Sequence, residues 1–262
     1  MCTIVIAHRI HPEAPLLVAA NRDEFYSRRG HAPRILRDVP RVVGGVDGER
    51  GGTWMGATAS GFFVGITNQR TWRVPDASLR SRGEVALGVL SAGSVRAAED
   101  LLAELDADLY NDFNLVFGDG ETLRLAYARR GKGVTLETLE PGFYALANDR
   151  LGSKEFPKTD HALSLSRRAI DAPIDEALRI LGEAMASHDL PDERRIPPPP
   201  KGSPIPLDVV KRLQAICVHT TSYGTVSSTI CAAEPGRVIR YAYADGPPCR
   251  AAYVGYESLF YG

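Results

Sequence analysis

Short apolar runs come in groups along this chain, and the groups are separated by helical stretches. That order restricts the fold more than any single motif does. Segments 3–8, 15–20, 42–46 and 61–67 are apolar and often β-branched, are bounded by Gly, Pro, Asn or Asp, and read as strands of a largely antiparallel meander. Helical patterns follow over residues 81–90 and 94–105, the second with Ser94 placed to cap it. A second β group reads FNLVFGDG, TLRLAYARR, GVTLETLEP and GFYALAND, and helices return over 153–168 and 174–187. The prolines of IPPPPKGSPIP, residues 196–206, lack N–H donors and hold φ near −65°, so this segment is predicted as a surface excursion. A helix over 207–217 and the strands SSTICAA, RVIRYAYAD and AAYVGYE complete the chain. Grouped elements do not fit a doubly wound parallel sheet; they predict an α+β fold, two antiparallel sheets packed face to face with helices outside. No linker or internal repeat divides the chain, so one domain over 1–262 is expected.

With 44% hydrophobic residues among 262, the chain can fill a substantial core, and a formal charge of −1 provides no overall attraction to nucleic acid or anionic membranes. The apolar run behind Cys2 is too short for a secretion signal, and no stretch approaches a membrane span. Cys2, Cys217, Cys231 and Cys249 have neither CxxC spacing nor a companion His pair, so no metal site is expected. A reducing, cytoplasmic setting follows as the default expectation.

The opening MCTIVIAHRI puts a thiol where removal of Met1 would make it N-terminal. An N-terminal cysteine carries nucleophile and base on one residue, because an α-amine with pKa near 7.7–8.0 can accept the proton of a thiol near 8.5. Strands 1 and 2 are predicted to form a hairpin through HRIHPEAP, which returns residues 21–24 toward Cys2. Asp23 could then orient the ammonium. By the period of two, Asn21 and Asp23 share one face, while Arg22 and Glu24 occupy the other. His8 lies too far along the strand to act as base, roughly 20 Å at about 3.3 Å per residue, whereas His219 keeps a Cys/His alternative open.

The ordered motifs MCT, NRDE (21–24), GGTWMG (51–56) and TN (67–68) resemble the NRDE family, whose eukaryotic members are called transport and Golgi organisation protein 2. Matching pieces continue with SRG (81–83), YNDFNLV (110–116), AND (147–149) and SYGTVSSTI (222–230), nearly the whole chain. That family is similar to the N-terminal nucleophile hydrolases of the bile salt hydrolase and penicillin V acylase branch. The resemblance implies a four-layer αββα sandwich, with Cys2 as nucleophile and Asp23 contacting its amine. It also implies that Asn68 helps form the oxyanion hole and that Asn148 is a second asparagine near the nucleophile. Two acylase arginines have no counterpart, since Ala20 and, near the second position, Val226 stand there.

These residues support hydrolysis of a carbon–nitrogen amide bond in a small N-acyl substrate, without cofactor. Trp54 could line the substrate pocket, and Arg22 and Arg82 are candidate substrate contacts, Arg82 near a helix N-terminus suited to an anion. The alternative, favoured by the two absent arginines, is a non-catalytic haem- or acyl-CoA/lipid-handling protein on the same fold, with Cys2 a possible thiolate ligand to haem. In either case the partner is a small molecule rather than nucleic acid.

Overall fold

The computed structural model describes residues 2–261. Six strands open the chain: β1 (Thr3–His8), β2 (Leu16–Phe25), β3 (Gly30–Asp38), β4 (Arg41–Asp47), β5 (Met55–Thr58) and β6 (Phe63–Asn68). Helices α1 (Arg82–Ala92) and α2 (Val95–Ala103) follow, then strands β7 (Phe113–Gly118), β8 (Leu123–Arg129), β9 (Gly133–Leu139) and β10 (Gly142–Leu146). Next come α3 (Lys158–Ser166), α4 (Ile174–Met185) and α5 (Leu207–Arg212), and finally β11 (Tyr223–Glu234), β12 (Arg237–Ala244), β13 (Val254–Gly255) and the short α6 (Ser258–Tyr261).

One sheet runs β10-β1-β2-β11-β12-β13 and the other β3-β4-β5-β6-β7-β8-β9, antiparallel throughout. Ile4, Ile6, Val18 and Ala20 of the first sheet meet Met55, Phe63, Val116 and Leu125 of the second in a shared core. Val5, Ala7 and Leu17 point the opposite way, onto Ala177, Leu181 and Met185 of α4. On the far side, Val64 and Leu115 pack against Val85, Val89 and Leu90 of α1 and Leu102 of α2. The result is the predicted αββα sandwich. Central strands covered on both faces favour apolar side chains on both faces, which is why β1 is apolar from Ile4 to Ala7.

The hairpin between β1 and β2 forms with Thr3 opposite Asn21, and β11 pairs along the other edge of β2. Between Thr225 and Ser227 the β11 register slips by one residue, so Val226 is a bulge facing the NRDE segment. Residues 196–206 form neither helix nor strand, in accord with their prolines.

Four sequence expectations differ from the fold. β3 was not expected; it is a largely exposed edge strand that contains Pro33 and is broken by two irregularities, features an edge tolerates and a central strand does not. β5, also not expected, begins within the GGTWMG motif at Met55; Gly56 pairs with Gly44, and a Cβ there would come 2.5 Å from the Val43 carbonyl oxygen. The helix expected over 207–217 stops at Arg212, and Cys217 instead donates its backbone N–H to the Ser187 carbonyl at 2.8 Å. The strand AAYVGYE shrinks to Val254–Gly255.

Candidate active site

Period-two alternation puts Cys2 on the inter-sheet face of the first sheet, in line with Ile4 and Ile6. There the half-buried Cys2 borders a cavity of about 1680 Å³, whose walls include Arg22, Trp54, Asn68, Arg82 and Asn148. Asp23 also borders it, and its backbone N–H donates to the Cys2 thiol. Burial pushes the Cys2 thiol up from its ordinary value, so the protonated form dominates until a base removes the proton. Met1, whose removal would free the Cys2 amine, lies outside the described residues.

Asp23 is buried on the helix-facing side of β2. Its Oδ1 accepts from the Thr225 hydroxyl at 2.7 Å, and its Oδ2 lies 3.9 Å from Lys158 Nζ. Both side chains of that pair are wholly buried. Burial raises Asp23 and lowers Lys158, while each partner's charge opposes the other's shift. Lys158 stands at the start of α3 behind Pro157, and sequence reading overlooked it because a lysine in a helical stretch resembles any solvated one. Asn21, on the same face, donates its amide to the Met185 and Ile216 carbonyls at 2.8 and 3.0 Å and so anchors the NRDE segment to the helical layer.

Asn68 ends β6 on the cavity wall, and its amide makes no hydrogen bond among the described residues, leaving its N–H groups free for a ligand. The Asn148 amide donates to the Asn68 carbonyl at 2.6 Å, and Asn148 Oδ1 is buried without a hydrogen-bond partner among the described residues. One N–H of Asn148 therefore holds the β6 end in place rather than pointing at a substrate.

Arg22 sits on the inter-sheet face with Cys2, opposite to Asp23 as alternation requires, yet it is buried rather than solvated. Its guanidinium covers Trp54 at 4.5 Å from the ring centroid and lies 3.6 Å from Asp47. Trp54 fits because Gly45 lies beneath it; a Cβ there would come 2.3 Å from the indole. The absence of a cation at Ala20 and Val226 therefore does not leave the site without one. Arg82 opens α1 beside the cavity, close enough to Cys2 for their charges to interact. Gly52, at φ +70° beside Gly51 at φ +64°, abuts Gly83, and this contact docks GGTWMG against SRG. Arg70, also overlooked, is layered between Trp72 and Phe156 at 4.0 and 4.1 Å and pairs with Glu155 at 2.7 Å on the same wall. His219 borders none of this cavity and makes its contacts with Cys217 and Cys249, so the Cys/His alternative built on Cys2 has no geometric support.

Comparison with solved structures gives the same architecture. A mutant conjugated bile acid hydrolase from Clostridium perfringens superposes with a TM-score of 0.59 at 12% identity, covering 99% of this chain and 94% of that one. The Caenorhabditis elegans ortholog of N-acylethanolamine-hydrolyzing acid amidase superposes at 0.53 and 11% identity, covering 88% and 92%. At these identities the likeness establishes the N-terminal nucleophile hydrolase-like fold. In sequence, the transport and Golgi organization protein 2 homolog of Bos taurus is 29% identical over 234 residues, 82% of this chain and 80% of that protein. The human homolog is 28% identical over 233 residues, with the same shares covered. The sequence profile described as Transport and Golgi organisation 2 matches residues 1–242, and the chain belongs to that family.

Proposed function

We propose that the chain is a hydrolase of carbon–nitrogen amide bonds in small N-acyl substrates, with Cys2 as its nucleophile once Met1 has been removed. The observation that carries this reading is the position of the Cys2 thiol at a cavity, with the Asp23 N–H on its sulfur and the unengaged Asn68 amide on the same wall. The freed α-amine of Cys2 takes the thiol proton, and Asp23, with Lys158 as countercharge, orients the resulting ammonium. Sulfur attacks the carbonyl carbon, and the oxyanion is stabilised by Asn68, with Asn148 holding the β6 end. The C–N bond breaks, the leaving amine takes the proton, and water then releases the acyl group as a carboxylic acid. Arg22 and Arg82 suit an anionic group on the substrate.

A second reading draws on the cavity volume. About 1680 Å³ exceeds the roughly 300–1,000 Å³ that accommodates an ordinary small ligand, and it would admit an acyl-CoA or haem-sized molecule carried without chemistry. Intact mass spectrometry after incubation with a panel of N-acyl amides separates the two. Hydrolysis predicts a chain lacking Met1 and a transient acyl adduct that Cys2→Ala abolishes. Retained Met1, or no adduct or product across the panel together with saturable binding of acyl-CoA or haem, overturns it in favour of carriage.

A further inference from the structure

Four side chains far apart in sequence converge where three segments meet. His188 follows α4, Cys217 and His219 lie on the segment leading into β11, and Cys249 belongs to the turn after β12. One potential ligand atom from each lies within 4.8 Å of all the others. Cys217 Sγ and Cys249 Sγ are 3.7 Å apart, and His219 Nε2 is 3.7 Å from the first sulfur and 3.3 Å from the second.

A tetrahedral zinc ion with bonds of about 2.3 Å to sulfur and 2.0–2.1 Å to nitrogen has edges of roughly 3.7 Å between sulfurs and roughly 3.5 Å from sulfur to nitrogen. The separations here match those edges. They do not match a disulfide, whose sulfurs lie about 2.05 Å apart. His188 Nδ1 is 3.0 Å from the Cys217 carbonyl oxygen; as donor to that acceptor it leaves Nε2 as the nitrogen with a free lone pair. A hydrogen bond that fixes the tautomer of one ligand through the backbone of another is the usual support of a metal-bound histidine.

We infer that His188, Cys217, His219 and Cys249 form a zinc site, closed by four protein ligands and so structural rather than hydrolytic. Two thiolates balance the ion's charge, and a ligand set of two sulfurs and two imidazoles favours zinc over magnesium or calcium. Cys217 is buried while His188 is exposed, so the ion has access from solvent. Sequence reading expected no metal because the cysteines have neither CxxC spacing nor a companion His pair along the chain; the four ligands meet only through the fold.

The site has a consequence for β2. Val218, between two ligands, donates its backbone N–H to Thr225 Oγ1 at 2.8 Å, and that hydroxyl donates in turn to Asp23. Zinc would clamp the segment that supports Asp23, whether or not Cys2 is catalytic.

The test uses the full chain, reduced, stripped with a chelator and titrated with Co²⁺ as a spectroscopic stand-in, alongside elemental analysis of the protein as purified. The expected result is close to one zinc per chain, together with a saturable tetrahedral Co²⁺ spectrum, bearing a thiolate charge-transfer band, that Zn²⁺ bleaches. Cys249→Ser and His188→Gln should each lower affinity by more than the about 10- to 100-fold typical of losing an outer partner. Cys2→Ala and Cys231→Ser should leave the spectrum unchanged. Because a ligand variant could fail to fold, the wild-type titration must stand alone. A reduced, folded chain without a thiolate–cobalt band, or a band whose intensity and midpoint Cys249→Ser leaves unchanged, or one that vanishes with Cys2→Ala, overturns the site.

Discussion

Cys2 on one side, and Cys217 with Cys249 on the other, give the same functional group two different settings. Cys2 borders a large cavity, has the Asp23 N–H on its sulfur, and shares the cavity wall with Arg22 and Trp54. Cys217 and Cys249 face each other and His219, and neither borders that cavity. A nucleophile must leave one side of itself open for the carbonyl it attacks, whereas a structural ligand is most useful when every direction is filled. The two regions nevertheless meet at Thr225, which links Val218 to Asp23, so the closed region backs the open one.

The sharpest way to break this contrast is to exchange the roles by mutation. Cys2→Ala should reduce amide turnover by about 10⁴-fold or more, on the scale seen when a nucleophile is removed, while leaving thermal stability and zinc content unchanged. Cys249→Ser should do the reverse, lowering zinc content and melting temperature while keeping a Cys2-dependent acyl adduct. Steady-state kinetics beside elemental analysis on the same preparations checks both. An adduct that follows Cys249 rather than Cys2 would dissolve the distinction.

Next in size is the buried pair behind Cys2. Lys158→Met takes from Asp23 the buried ammonium 3.9 Å from its Oδ2, and removing one member of a buried pair costs up to about 3–5 kcal/mol. The pH dependence identifies the cause. Asp23 is raised on folding, so its contribution to stability is fully present below the unfolded value and is lost as pH rises through the folded value. Without Lys158 to oppose the rise, that folded value climbs further. The penalty of Lys158→Met should therefore be small in acid and grow toward neutral pH, and adding Asp23→Asn should remove most of it. Urea unfolding across this pH range measures the effect; a pH-independent penalty would mean that Lys158 acts through packing alone.

These two regions also differ in how far the sequence disclosed them. The layered fold followed from the grouping of apolar runs, and Cys2, Asp23 and Asn68 could be singled out as candidates because they sit in short motifs at strand ends. What stayed hidden depends on contacts between distant segments. Lys158 matters only because Pro157 starts α3 against the face of β2 that carries Asp23. Arg22 was assigned to the correct face of β2, but its burial could not be foreseen without β4 supplying Gly45 as a floor for Trp54. The four metal-ligand candidates span residues 188 to 249 with no periodic spacing, and the expected helix over 207–217 would have kept Cys217 from pairing with Ser187.

A smaller expected effect concerns the closed region alone. If zinc binds only the folded chain, free zinc at 100 times its dissociation constant adds about 2.7 kcal/mol to stability, and chelation removes that amount. Calorimetry of the wild type with and without chelator should show this loss, and Cys249→Ser should no longer respond. Equal chelator sensitivity in both proteins would place the bound metal elsewhere.

The smallest effect lies in the open region, where Arg22 is held over Trp54 rather than by a tight ion pair. A cation over an indole contributes about 0.5–1 kcal/mol when exposed and about 2 when desolvated, while the Arg22–Asp47 separation of 3.6 Å is long for a charged hydrogen bond. A double-mutant cycle with Trp54→Leu and Arg22→Met should thus give a coupling of about 0.5–2 kcal/mol, larger than the coupling of Arg22 with Asp47 measured through Asp47→Asn. If the stacked guanidinium also receives an anionic substrate group, Trp54→Leu should raise KM more than it lowers kcat, because the indole positions the cation without touching the reacting carbonyl. A cycle in which Asp47 couples more strongly than Trp54 would make the salt bridge, not the indole, the element that presents Arg22 to the cavity.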